Sequence, residues 1–109
     1  MRRVASNWVY RSETQLLKQA VVVLTDEYVG NYYAIQDDMP ATEWIGGIVF
    51  LTAQEEPEFP KMVTLEDLKR LLLDEEYTPR YAYHLEGIDI DSTELFPSAR
   101  VVRLEGEWD

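Results

Sequence analysis

The stretch TEWIGGIVFLTAQEEPEFP, residues 42–60, decides how the chain must be arranged. Its apolar run IVFL at 48–51 shows no polar alternation, so a strand built from it is buried on both faces or central in a sheet. Gly46 and Gly47 stand at the start of that run, where a missing Cβ permits a bulge, a kink or the close approach of another backbone. After it, QEEPEFPK holds two prolines and three glutamates and reads as an extended connection.

Toward the N-terminus, RVASNWVYR at 3–11 and LKQAVVVLT at 17–25 are rich in β-favouring residues, with SETQ as the loop between them. DEYVGNYYAIQ at 26–36 combines turn chemistry in Asp26-Glu27 and Gly30-Asn31 with strand residues Tyr28, Tyr32, Tyr33 and Ile35. These segments predict a meander of three or four short antiparallel strands. DDMPATE at 37–43 is expected to be a loop, because Pro40 cannot donate to a ladder.

Toward the C-terminus, VTLEDLKRLLLDEEY predicts one helix near residues 64–76. Thr64 can cap it, Asp67 takes the capping-box position, and acids fall in the first turn, where the helix dipole favours them. Leu65, Leu68, Leu71 and Leu72 form one apolar stripe, Val63 can staple to Leu68, and Pro79 ends the element. RYAYHLEGIDI at 80–90 alternates as a half-buried strand, DSTELFPS is a loop, and ARVVRLEGEW supplies a last strand. The order predicts one α+β domain over residues 1–109. Its mainly antiparallel sheet of six to seven short strands should curl or fold over on itself as a small sandwich, with the helix on an open edge or face.

Composition narrows the functions. The chain has 109 residues and is 46% hydrophobic, enough for one packed core. Its 21 acidic and 10 basic side chains give a net charge of -11, which repels phosphate backbones and anionic lipid surfaces. Neither nucleic acid nor membrane is expected as a partner. With no cysteine there is no disulfide, thiolate metal site or cysteine nucleophile. The arginine-bearing N-terminus lacks an apolar signal region, and the expectation is a cytoplasmic protein without cofactor or metal.

His84 is the one histidine and the natural candidate for proton transfer or ligand binding, with Tyr83 and Glu86 as neighbours. No nucleophile-elbow spacing surrounds Ser6, Ser12, Ser92 or Ser98, so a serine triad is rejected. DIDSTELFPSAR begins like a calcium loop at Asp89 and Asp91 but carries Glu94 where glycine is needed and Arg100 where the bidentate glutamate belongs. The acid pairs Asp37-Asp38, Glu55-Glu56 and Glu75-Glu76 read as solvated surface. The surplus of aromatic residues fits an interface, for which Tyr28, Tyr32, Tyr33 and Trp44 are the candidates.

Residues 1–51, with the VVV element at 21–23, the acidic-glycine turn and the strand TEWIGGIVFL, resemble the N-terminal β-segment of amidohydrolase-superfamily enzymes, and ARVVRLEGE resembles the C-terminal strands of the same small sandwich. The resemblance implies a β-domain without its catalytic barrel, which occupies about 250 residues in such folds. Ile45 stands where that family has proline, and LTAQEEPEFP follows where its metal-binding His-x-His pair belongs, so no catalytic residue carries over. The expectation is a non-catalytic acidic binding or assembly module, a homodimer or an accessory related to that β-domain. The alternative is a small enzyme or ligand binder using His84 with a nearby carboxylate and tyrosine.

Overall fold

The computed structural model describes residues 1–35, 42–73 and 78–106. Strands β1 (Arg2–Tyr10), β2 (Leu16–Thr25) and β3 (Tyr28–Ala34) form the expected antiparallel meander. They continue into β4 (Thr42–Trp44), β5 (Ile48–Thr52), β6 (Met62–Val63), α1 (Leu65–Leu72), β7 (Tyr81–Leu85), β8 (Phe96–Pro97) and β9 (Val101–Leu104). The main sheet runs β3-β2-β1-β5-β7-β9, with β4 also on β1, while β6 and β8 make a separate two-stranded pair.

The sheet is mixed, so the expectation of a mainly antiparallel one is met only in part. Both β4 and β5 pair in parallel with β1, whereas β5–β7 and β7–β9 are antiparallel. All five residues of β5 are buried, as befits a central strand between two neighbours with material on both faces, but burial does not set its direction, which follows from the path the chain takes between β1 and β5. Other corrections are local. The expected loop before residue 44 ends in β4, which the glycines separate from β5, and the loop DSTELFPS contains β8. The helix stops at Leu72, with Leu73 extended as its C-cap; residues 74–77, which the predicted helix overlaps, lie outside the described residues.

Thr64 caps α1, and the reciprocal box with Asp67 is complete: Thr64 Oγ1 accepts from Asp67 N at 3.2 Å, and Asp67 Oδ2 accepts from Thr64 N at 2.9 Å. These backbone and side-chain bonds from Thr64 hold the Asp67 carboxyl below its usual pKa. Leu65, Leu68 and Leu72 are buried and pack with Val63, Tyr10, Ile48, Phe50, Tyr83 and Leu85 on one face of the sheet. Among the described residues no helix is long and apolar enough to cross a membrane.

A second core lies on the opposite face, made of Val4, Val9, Ala20, Val22, Leu24, Val49, Leu51, Ala82 and Leu104. Val4 and Val9 are an odd number of residues apart, so strict strand alternation would put them on opposite faces. They share one core because the sheet creases between the pairs Ser6–Ala20 and Trp8–Lys18. At that level Gln19 has φ 51°, and between β4 and β5 Gly46 and Gly47 both have φ 67°. The crease folds β3, β2, β4 and the first half of β1 over β5, β7 and β9, which is the sheet folding over on itself.

Candidate functional site

At the crease two of the candidate residues, Trp44 and His84, come together. Gly47 lies so close to β7 that a Cβ there would stand 2.5 Å from the Leu85 carbonyl oxygen and 3.1 Å from His84 Nε2. Its amide donates to Asn7 Oδ1 at 2.9 Å, and its carbonyl accepts from Trp8 N at 3.2 Å. His84 Nε2 is 3.0 Å from the Gly46 carbonyl oxygen, a group that can only accept, so this nitrogen carries the proton and donates. The Trp44 Nε1 atom lies 3.6 Å from where a Gly46 Cβ would be. Trp44 is 55% exposed, and Val102, which pairs with His84 across the sheet, is 56% exposed. Trp44 from the interface set and His84 from the ligand set therefore meet at one diglycine.

The remaining candidates are dispersed. Tyr83 is the strand neighbour of His84 and faces the helix-side core, where its hydroxyl donates to the Glu55 carbonyl at 2.7 Å. Burial pushes its phenol pKa up. Glu86 is exposed, and its carbonyl accepts from Arg100 Nη2 at 2.7 Å. The structure thus keeps the tyrosine hydroxyl and the His84 ring on different faces. Tyr32 packs against the second core and its hydroxyl accepts from Arg11 Nε at 2.8 Å. Tyr33 points to the other face, in one cross-strand row with Val21, Ala5 and Trp44, and of that row Val21 and Ala5 are already buried.

Tyr28 belongs to a clasp at the far end of the folded sheet. Arg80 lies 5.1 Å from its ring, the Tyr28 and Tyr81 centroids are 5.6 Å apart, and Arg103 lies 5.0 Å from Tyr81. Arg103 Nη2 donates to Glu27 Oε2 at 2.6 Å, Val29 N donates to the Arg80 carbonyl at 2.7 Å, and Gly106 N donates to the Asp26 carbonyl. The Glu27 carboxylate, by hydrogen bond and charge, holds the Tyr28 phenol above its usual pKa.

An open cavity of about 410 Å³ is lined by 87–89 and 91–94, the stretch that begins like a calcium loop. Asp89 Oδ1 accepts from Asp91 N and Ser92 Oγ from Glu94 N, so the loop is held by turn bonds of its own. Among the described residues no three His, Asp or Glu side chains are grouped to hold a metal ion. The pairs Asp37-Asp38 and Glu75-Glu76 lie outside the described residues.

The crease has one signal in the sequence: Val4 and Val9 in RVASNWVYR break the two-residue period around Asn7. Structurally the chain is a mixed β-sheet folded at a three-strand crease, with one helix on its outer side. Comparison with family models, curated proteins and solved structures finds no match, and nothing links the chain to amidohydrolase-superfamily domains.

Proposed function

We propose that this chain is a non-catalytic binding module whose contact surface is centred on Trp44 at the diglycine crease. One observation carries the reading: a tryptophan more than half exposed, 55%, on a three-residue strand paired with β1 beside the crease. Large aromatic side chains on ordered backbone supply much contact area at little entropic cost, which is why tryptophan dominates binding hot spots. The exposed Asn7 side chain extends the same neighbourhood, since its Oδ1 and Trp44 Nε1 both lie against Gly46. His84 supports this reading more than a catalytic one, since its Nε2 proton is committed to a main-chain carbonyl and the Tyr83 hydroxyl is on the opposite face.

The test is capture of partners from the source cell by the purified chain and by Trp44→Ala, followed by reconstitution with the identified partner. Loss of the reconstituted complex in Trp44→Ala, with an unchanged circular dichroism spectrum, is the expected result. A complex indifferent to Trp44→Ala refutes the surface. Light scattering across a concentration series separates a second copy from a different partner.

A further inference from the structure

Cations cover aromatic rings repeatedly in this protein. Lys18 Nζ stands 5.9 Å from the Trp8 centroid and Lys69 Nζ 5.1 Å from Tyr10, while Arg80 and Arg103 cover Tyr28 and Tyr81 at 5.1 and 5.0 Å. Two of the described aromatic residues are exposed, Tyr28 at 38% and Trp44 at 55%. Tyr28 has its arginine. Among the described residues no cation stands over Trp44, although indole is the best cation acceptor of the three rings. The basic side chains of β1 beside β4 are engaged, Arg2 with the Glu43 carboxylate and the Glu105 carbonyl, and Arg3, which pairs with Thr42, with a partner of its own; Arg100 donates to the Glu86 carbonyl.

We propose that Trp44 receives a lysine or arginine side chain from a basic segment of a protein partner. The inference rests on the reading of Trp44 as the contact surface and adds the chemistry of what it takes. Charge complementarity selects the occupant. The chain carries -11, so a cationic segment is drawn toward it, a second copy brings the same negative charge, and nucleic acid is repelled. On arrival the cation finds the exposed aromatic face that the protein's own cations leave open.

The experiment titrates the 15N-labelled full chain with the peptide Ac-GRGRGRG-amide and with its glutamine counterpart Ac-GQGQGQG-amide, following the indole N–H signals. The arginine peptide is expected to move the Trp44 indole signal, more at low salt than at high. Its affinity should fall about two- to five-fold in Trp44→Leu, which keeps an apolar side chain but removes the ring, and less in Trp44→Phe. Equal binding of the glutamine peptide overturns the cation while leaving the surface standing. Shifts confined to the acidic loop at 89–94, or no binding at all, overturn the proposal. In either case the Trp44→Ala reconstitution decides separately whether the contact surface survives.

Discussion

Replacing Gly47 by alanine should damage this protein far more than replacing Gly46, although the two share φ 67°. An L-residue in that left-handed region costs about 1–2 kcal/mol, and both variants bear it. At Gly46 the new methyl meets Asn7 Oδ1 at 3.5 Å and Trp44 Nε1 at 3.6 Å, ordinary contacts, so the backbone strain is the whole effect. At Gly47 the methyl would stand 2.5 Å from the Leu85 carbonyl oxygen and 3.4 Å from Glu86 Cα, and neither is a flexible side chain that can swing away. The start of β5 must then move off β7, stretching the bonds from Trp8 N, to Asn7 Oδ1 and from His84 Nε2. With each of these worth about 1 kcal/mol, Gly47→Ala should cost roughly 3–5 kcal/mol against about 1–2 for Gly46→Ala. Urea unfolding followed by tryptophan fluorescence measures both, and the gap corresponds to a Tm difference of roughly 8 °C or more for a domain of this size. Equal destabilisation of the two variants refutes the close approach of β7 as the reason for glycine at 47.

The clasp should open locally: Glu27→Gln is expected to raise hydrogen exchange at the Val29 and Gly106 amides while lowering global stability by no more than about 1 kcal/mol, because the Glu27–Arg103 pair is partly exposed. Unchanged exchange at both amides would show that the pair holds nothing. Thr64→Ala removes the helix cap and should cost about 1 kcal/mol in urea unfolding. The depressed Asp67 carboxyl sets a pH dependence: its contribution is fully present above the unfolded-state value near about 3.9 and is lost as pH falls through the lower folded value. Asp67→Asn should therefore flatten the acid limb of the stability profile, and an unaltered limb counts against the box.

The helix was legible because its determinants are local. Thr64, Asp67 and the leucine stripe carry start, capping and facing within a few residues; the structure realises the cap and the box, and the stripe at Leu65, Leu68 and Leu72, with Leu71 only half-buried. The burial of β5 was legible for a similar reason, since a run of four apolar residues has no face to offer water. Its direction was not. Whether β5 lies parallel or antiparallel to β1 depends on the path the chain takes between them, and nothing in IVFL encodes that path. The site residues divide in the same way. Strand alternation separates Tyr83 from His84 and Tyr32 from Tyr33 onto opposite faces, which the sequence already implies. The meeting of Trp44 and His84 at Gly46 joins positions from different strands and required the fold.

By itself, then, the sequence determined a cysteine-free, acidic, mostly-β chain with one capped helix, a central buried strand and a glycine pair where the backbone departs from it. Each of these follows from composition or from patterns a few residues long. The tertiary structure decided the mixed pairing, the crease at Asn7, Gln19 and Gly46-Gly47, and the arginine–tyrosine clasp that closes the folded sheet. The physical reason is that these features arise from contacts between residues remote in sequence. The positive φ at Gln19 belongs to a residue with no local preference for it and falls where the pairing of β1 with β2 skips from Ser6–Ala20 to Trp8–Lys18.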